Sequence, residues 1–182
     1  MRCIIGLGNP EPIYEKTRHN AGWMTLDALA PEPWELKKKF NAALLKTIRH
    51  GQELLLVKPH TYMNRSGEAI AAIAAFYQLR PEECWLVHDD IDLPWGVIRI
   101  SQNRSAGGHR GVESIFNALH SQACPRFRIG IRPEHPFDTE AYVLQKFSPD
   151  QAALLPDIMT KTVAAIDLAL ISSPAAAATR YN

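Results

Sequence analysis

A small set of polar residues stands where predicted strands end or where glycine loops lead into helices. It consists of Asn9, His19, Asn20, Asn64, Asp89 and His109. In open α/β sheets such positions converge on one crevice. A histidine can take a proton from water, a carboxylate can orient its ring, and amides can stabilise an oxyanion. Since the set contains no serine or cysteine nucleophile, these residue types indicate hydrolysis by activated water.

Each of these residues also has a simpler, structural interpretation. Asn9 precedes a proline and suits a turn, Asn64 could cap the helix that follows it, and His109 could merely be exposed in its loop. The acidic segment HDDID at 88–92 could instead hold a divalent cation, because carboxylates at a strand end can bind one. The sequence alone leaves these alternatives open.

Two familiar chemistries fit the sequence poorly. A dinucleotide-binding loop needs G-x-G-x-x-G leading directly into a helix, but Gly6 and Gly8 are followed by Glu11 and by prolines that prevent an immediate helix. A serine hydrolase needs a nucleophile flanked by glycines, and the similar string NRSGE lacks them. The first glycine turn is therefore predicted to bring polar residues to a cleft and not to hold a cofactor.

The strands that would position these residues follow from hydrophobic patterning. Strands are predicted at CIIGL, CWLVHDD, GVIRISQ and FRIGI, and ALLKTI pairs with ELLLVK in a hairpin. Helices are predicted at AGWMTLDALA, AIAAIAAFYQL and VESIFNALH. We therefore expect an α/β fold: a single three-layer domain over residues 1–182, with a mixed, mostly parallel twisted sheet flanked by helices.

A further helix is predicted near the carboxyl end of the chain. It begins at SPDQ (148–151), where Ser148 can cap, a proline takes the first helical position and Gln151 completes a capping box. Beyond this start, apolar residues repeat at helical spacing and are predicted to be core: Met159, Val163, Ile166 and Leu170.

Composition describes an ordinary globular chain of 182 residues, 46% hydrophobic and 21% charged. No apolar run approaches the roughly 20 residues that cross a bilayer, and the amino-terminal apolar stretch is too short for a signal peptide. Three cysteines, Cys3, Cys84 and Cys124, have no metal-binding spacing. They predict reduced thiols in the cytoplasm.

Charge is unevenly distributed, although the net charge is only +1. Between positions 95 and 132 there is one acid, Glu113, against six arginines: Arg99, Arg104, Arg110, Arg126, Arg128 and Arg132. This excess could be scattered, solvated charge, or it could form a basic face that contacts phosphates.

The order of the motifs resembles bacterial peptidyl-tRNA hydrolases. The matching motifs are GLGNP, TRHNAG, KPHTYMNRSGEAI, VHDDIDLPWGVIRI, GGHRG, FRIGIRPEHP and YVLQKFSPDQ. Only residues 30–50 and the last few tens match loosely. The resemblance implies an enzyme that cleaves the ester between a peptide and the 3′ adenosine of tRNA. It also implies a cytoplasmic monomer that needs no metal or other cofactor and no membrane.

The resemblance further implies roles for individual residues. His19 of TRHNAG would be the general base, Asp89 would hold it in its basic form, and Asn9 would help to distinguish a blocked amino end from a free one. The site for the tRNA 3′ end and the peptide would be lined by Tyr14, Tyr62 and Asn64. His109 would lie in a mobile GGHRG loop.

The remaining expected contacts with substrate involve Asn20 and three arginines. Arg104 and Arg128 belong to the basic stretch and are expected to contact tRNA, while Arg110 and Asn20 are expected to contact the substrate near the chemistry. Arg110 stands where the family usually has asparagine, which raises a question about how the peptide is held. The loop before it, SQNRSA, has fewer glycines than the family pattern, and the end AAAATRYN keeps little of that pattern.

Two alternatives to peptidyl-tRNA hydrolysis follow from these departures. The chain could be a relative with weak catalysis that acts as an RNA-binding module, or it could hydrolyse a different tRNA-linked or nucleotide ester. Loss of His19 or Asp89 would have favoured the RNA-binding module, and both residues are present. Hydrolysis of peptidyl-tRNA is therefore the preferred interpretation.

Overall fold

Seven strands form one mixed sheet in the computed structural model, which describes residues 1–133 and 138–182. The end of the motif FRIGIRPEHP, residues 134–136, lies outside the described residues. The strands are β1 (Arg2–Gly6), β2 (Glu35–Lys37), β3 (Ala42–Arg49), β4 (Gln52–Pro59), β5 (Cys84–Pro94), β6 (Ile98–Ser101) and β7 (Arg126–Arg132). Their order across the sheet is β2-β3-β4-β1-β5-β7-β6.

The four central strands, β4, β1, β5 and β7, are parallel, and antiparallel pairs flank them at both edges. The predicted hairpin is β3–β4. Its turn residues His50 and Gly51 both have positive φ, at 50° and 72°, which suits the right-handed twist of paired strands. The sheet confirms the predicted α/β class.

Helices cover both faces of the sheet, which confirms the predicted three layers. They are α1 (Ala21–Leu29), α2 (Ser66–Tyr77), α3 (Arg110–Leu119), α4 (Thr139–Val143), α5 (Pro149–Ile171) and α6 (Pro174–Tyr181). Alternate residues of β1 show the two cores: Ile4 packs with α1, α5 and α6, whereas Ile5 packs with α2 and α3. Within the described ranges, no helix has both the length and the apolar character needed to cross a membrane.

The start of α5 and its core face were predicted correctly. Ser148 and Gln151 form the capping box, and the four apolar residues at helical spacing are all buried. The possible cap of α2 by Asn64 is not formed. A 3₁₀ turn, Met63–Arg65, leads straight into the helix, and the Ser66 hydroxyl donates to the Met63 carbonyl, 2.9 Å away, instead of accepting from the first turn.

Two glycines set how closely α1 approaches the sheet. A Cβ atom on Gly22 would lie 2.3 Å from the Val87 carbonyl oxygen, and one on Gly6 would lie 2.5 Å from the Gly22 oxygen. Glycine is needed at both positions because any side chain would push the helix away from the strands. Close packing therefore explains Gly6 of the first glycine turn, and no bound nucleotide is needed to explain it. The contact also fixes the turn at residues 18–20 near the carboxyl ends of β1 and β5.

Candidate active site

A pocket of about 530 Å³ opens beyond the end of β1 and beside residues 89–91 of β5. After β1 the chain forms the strands on one side of it, β2 to β4. It then forms β5 on the other side of β1 and continues to β6 and β7 beyond it. The pocket therefore lies between the two strands, β1 and β5, from which the sheet extends in opposite directions. Its lining comprises Asn9, His19, Tyr62, Met63, Asn64, Asp89, Asp90, Ile91, Gly107, Gly108, His109, Arg110, Thr139, Glu140, Val143 and Leu144. Several residues selected from the sequence are thus brought together.

His19 and Asp89 form the centre of this pocket. Nδ1 of His19 lies 3.0 Å from both carboxylate oxygens of Asp89. An ionised carboxylate can only accept, so the hydrogen bond assigns the proton to Nδ1. In the neutral ring Nε2 then carries the lone pair, and none of residues 1–133 and 138–182 forms a hydrogen bond to it. The imidazole is ready to accept a proton from a molecule in the pocket.

His109 binds the same carboxylate from the other side. Its Nε2 lies 3.0 Å from Oδ1 of Asp89, while its Nδ1 accepts from the Val112 amide and caps helix α3. A neutral ring with its proton on Nε2 satisfies both contacts. The side chain is 9% exposed, so His109 is not the exposed loop residue considered above. Its ring centroid is 4.9 Å from that of His19.

The environment keeps Asp89 ionised. Burial alone raises the pKa of Asp89, but the charge interactions and hydrogen bonds with His19 and His109 outweigh burial and hold this pKa well below its usual range. Behind them lies His88, whose ring packs edge-on against His109 at 4.6 Å. Burial is the main cause that lowers the pKa of His88 well below its usual value, and the positive charge of Arg126 adds to it. His88 is therefore neutral.

The Asn9 amide is fixed by the backbone around it. Its Oδ1 accepts from the Met63 amide at 2.9 Å, so its Nδ2 group is the donor left for the pocket. Asn20 does not line the pocket. Its side chain instead binds the Asn9 backbone: Oδ1 accepts from the Asn9 amide at 2.9 Å, and Nδ2 donates to the Asn9 carbonyl at 3.0 Å. Asn20 thus positions Asn9, which differs from the direct substrate contact expected from the sequence.

Tyr62 and Asn64 lie at the rim, and Tyr14 does not line the pocket. Tyr62 has φ 59° and ψ 158°, a backbone conformation that residues other than glycine rarely adopt. Its ring is exposed and its hydroxyl donates to Glu11, which raises the pKa of Tyr62. The strained residue stands next to Met63, whose amide holds Asn9, so the local strain falls within the site.

Arg110 and Glu140 face each other across the pocket. The guanidinium donates to the Glu140 carboxylate, and both side chains are largely exposed. Glu140 lies on α4, and Val143 at the end of that helix and Leu144 directly after it form an apolar wall of the pocket. Arg110 lines the same pocket as His19 and Asp89, but its partner Glu140 gave no signal in the sequence, because 30 residues separate the two.

The other two predicted tRNA contacts lie outside this pocket. Arg104 and Arg128 line a second depression of about 590 Å³, together with Arg99. Arg128 also donates to Asp90 at 2.6 Å, and Asp90 lines the first pocket, so the two depressions adjoin. Burial, and then the charge of Arg128, lowers the pKa of the neighbouring Arg126 to about 10. Part of the arginine-rich stretch therefore forms a positive surface beside the pocket.

The carboxylates of HDDID do not gather around one point. Asp89 faces the histidines and Asp90 faces Arg128, while Asp90 also accepts from the Asp92 amide. Among residues 1–133 and 138–182, the groups that could together ligate an ion are instead His19, Asp89 and His109, with ligand atoms within 4.8 Å of one another. These same atoms are hydrogen-bonded to each other, so a cation could bind only by displacing the protons between them.

No serine or cysteine is found among the pocket-lining residues of the described chain. The three cysteines are buried elsewhere. Burial, and then the neighbouring Cys84, raises the pKa of Cys124 to about 12, which leaves that thiol protonated and unreactive. The fold and the site together define an α/β protein with a histidine–carboxylate pair in a pocket at the sheet.

Comparison with known proteins gives the family. The family model described as Peptidyl-tRNA hydrolase matches residues 3–182, and the chain belongs to this family. The peptidyl-tRNA hydrolase of Synechococcus sp. (strain JA-3-3Ab) is 41% identical over 186 residues, covering 100% of this chain and 83% of that protein. That of Aquifex aeolicus (strain VF5) is 42% identical over 178 residues, covering 96% and 92%.

The fold leads to the same family. The crystal structure of peptidyl-tRNA hydrolase from Acinetobacter baumannii matches with a TM-score of 0.90 at 32% identity, and the match covers 100% of this chain and 94% of that one. Membership confirms the resemblance found in the sequence and, with it, the expectation of an enzyme that hydrolyses peptidyl-tRNA.

Proposed function

We propose that His19 activates the water that cleaves the ester of peptidyl-tRNA, with Asp89 as its orienting carboxylate. The observation that carries this proposal is the contact of His19 Nδ1 with both oxygens of Asp89 at 3.0 Å. It fixes the tautomer in which Nε2 can act as a base, and the carboxylate stabilises the imidazolium that forms. General-base catalysis of this kind contributes about 10²–10⁴-fold.

In the proposed reaction, His19 Nε2 takes a proton from water while the water oxygen bonds to the ester carbonyl carbon. The negative charge that develops on the carbonyl oxygen is stabilised by the Nδ2 group of Asn9, whose orientation Met63 fixes. The ester C–O bond then breaks, and the ribose oxygen of the tRNA receives the proton from His19. A peptide carboxylic acid and a free tRNA 3′ hydroxyl result.

The substrate is proposed to lie across both depressions. The apolar wall formed by Val143 and Leu144 suits a peptide, and Asn64 at the rim offers an amide to the peptide or the 3′ nucleoside. The second depression, with Arg104 and Arg128, suits the phosphates of the tRNA acceptor end. Because Asp90 and Arg128 join the two depressions, the tRNA and the ester can be held at the same time.

We also propose that hydrolysis needs no metal ion and that the enzyme acts in the cytoplasm as a monomer. The hydrogen bonds among His19, Asp89 and His109 support the first point, since the base is already oriented without a cation. Its substrate class, peptidyl-tRNA, supports the cytoplasmic location.

One assay tests the proposed reaction and its independence of a metal ion. N-acetylated aminoacyl-tRNA and the unblocked form are incubated with the enzyme, each with and without EDTA. We expect cleavage of the blocked ester only, at the same rate in EDTA. Binding without cleavage would point to the RNA-binding module, and loss of activity in EDTA with recovery on adding Mg²⁺ or Zn²⁺ would require a metal centre. His120→Gln, at an exposed histidine, is the control for His19→Gln in the same assay.

A further inference from the structure

Arg18 precedes the base His19 in the same 3₁₀ turn, but its side chain points away from the pocket into the protein. Only 6% of the residue is exposed. Among residues 1–133 and 138–182 no carboxylate lies within ion-pair distance of it. A buried guanidinium is costly unless other groups compensate its charge, so its surroundings require an explanation.

The compensation comes from the segment that follows α4. The Nη1 group of Arg18 donates to the carbonyl oxygens of Tyr142, Gln145 and Lys146 at 3.4, 3.3 and 3.0 Å. Tyr142 lies in the last turn of α4, and Gln145 and Lys146 follow that helix, so the guanidinium is held by the partial negative charges of three carbonyl oxygens from one short segment. The guanidinium carbon also lies 4.0 Å from the centre of the Tyr142 ring, a cation–π contact.

Three further contacts connect the same turn and the residue before it to neighbouring elements. Nη2 of Arg18 donates to the Gln151 side chain in the first turn of α5, at 3.1 Å. The Arg18 backbone amide donates to the Gln145 carbonyl at 3.1 Å, and Thr17 forms an isolated β-bridge with Lys146. The turn that carries His19 is thus joined to α4 and α5 by backbone and side chain together.

Residues 143 and 144, within this bound segment, form the apolar wall of the pocket. We infer that Arg18 is a positioning residue that holds His19 and the peptide wall in register, so that the bound ester lies within reach of Nε2. The inference rests on the proposed role of His19. Displacement of a reacting group by about 1 Å can cost about 10²-fold in rate, so a side chain remote from the reacting atoms can control kcat.

Lysine at position 18 tests the inference, because it keeps the charge and loses the planar fork that reaches several acceptors. We expect Arg18→Lys to lower kcat about 10- to 100-fold. Binding of deacylated tRNA should be unchanged, because Arg104 and Arg128 are untouched. Arg49→Lys is the matched control: Arg49 also joins distant elements, through Asp167 and the Leu29 carbonyl, but does not line the pocket. It should keep the wild-type kcat.

A spectroscopic readout separates positioning from loss of stability. The Nδ1 proton of His19, identified by its absence in His19→Gln, should shift or broaden in the NMR spectrum of Arg18→Lys and not in that of Arg49→Lys. For Arg18→Ala, millimolar guanidinium should restore part of kcat and should not restore His19→Gln. The rescue experiment keeps the inference testable if Arg18→Lys folds poorly.

Two results would overturn the inference. One is a folded Arg18→Lys enzyme with kcat within threefold of wild type. The other is a loss of kcat that merely follows the unfolded fraction measured by circular dichroism, with an unchanged Nδ1 proton. Failure of the proposed function looks different, since His19→Gln would then remain active.

Discussion

The Nδ1 atom of His19 lies 3.0 Å from each carboxylate oxygen of Asp89, although the residues are 70 positions apart in sequence. The carboxylate is buried and accepts a second hydrogen bond from His109, so its position is fixed from two sides. Substitutions at His19 and at Asp89 can therefore test the proposed base and the proposed orienting group separately.

Substitution of the base should remove most of the activity. We expect His19→Gln to lower kcat by about 10²–10⁴-fold, the usual contribution of a general base, with little change in the circular dichroism spectrum. Single-turnover cleavage of N-acetylaminoacyl-tRNA measures the effect, and binding of deacylated tRNA should persist. Activity within about tenfold of wild type would assign the base to another residue.

Removal of the carboxylate charge should have a smaller effect than loss of the base. Asp89→Asn keeps a group that can hydrogen-bond the imidazole, but the amide cannot stabilise the imidazolium and can favour the wrong tautomer. We expect a strong fall in kcat that leaves measurable residual activity above that of His19→Gln. Equal kcat for Asp89→Asn and wild type would show that the contact is not used in catalysis.

Local patterns predicted every strand of the described sheet except the short β2, together with the hairpin and the capping box at Ser148, because strand alternation, turn residues and caps depend on near neighbours. The sequence could not show that Asn64 leaves α2 uncapped, because the positive φ of Tyr62 and the 3₁₀ turn after it are not encoded in a short motif. The helix α3 begins two residues earlier than predicted, and His109 caps it with a ring nitrogen. Histidine is not among the residues usually expected at that position.

Most of the polar side chains that line the pocket were selected from the sequence, whereas the contacts that hold them were not. The pairing of Arg18 with residues 142–146 spans more than 120 positions, and Glu140 lies 30 positions from Arg110. No periodicity or turn signal links residues at such distances. Asn20 was assigned to the substrate because its type and place suited that role, and only the folded chain shows that it holds Asn9.

The buried His88 should make folding stability depend on pH. Its pKa is lowered in the folded protein, so below about pH 6.5 the unfolded chain binds a proton that the folded chain does not. Stability is therefore greatest at higher pH and is lost as the pH falls. Between pH 7 and 5 this one group accounts for up to roughly 2 kcal/mol.

The variant His88→Asn should reduce that pH dependence, because its amide can donate to the Asp89 carbonyl without titrating. Urea unfolding of wild type and variant at pH 7 and pH 5 measures the difference. The exposed His120 supplies the control, since His120→Asn should leave the wild-type dependence in place. An unchanged pH dependence in His88→Asn would mean that His88 takes up a proton in the folded state.

The arginines of the second depression should contribute to tRNA affinity more than to kcat. We expect Arg104→Ala to weaken tRNA binding and to reduce the slope of log K against log salt by up to about one phosphate contact. Arg128→Ala should do the same and also lower stability, because it leaves the largely buried Asp90 without its partner. Filter binding over a salt series tests both variants, and an unchanged slope in both would make these arginines purely structural.

Arg110 should affect substrate binding and leave the chemistry intact. The guanidinium can only donate, whereas the asparagine usual in the family can also accept, so Arg110 suits a phosphate or a carbonyl. Its pair with Glu140 is exposed and contributes at most about 1 kcal/mol, so an anionic substrate can displace the carboxylate. We expect KM of wild type to rise more steeply with salt than KM of Arg110→Asn, with similar kcat.

The variant Glu140→Gln completes this test in the opposite direction. It frees the Arg110 guanidinium for the substrate, so KM at low salt should fall below the wild-type value and its salt dependence should steepen. In the double variant with Arg110→Asn this gain should vanish, because the freed cation is then missing. If Arg110→Asn instead raises kcat by orders of magnitude at unchanged KM, Arg110 impairs the reaction itself. The chain would then be a relative with weak catalysis, and RNA binding would be its main activity.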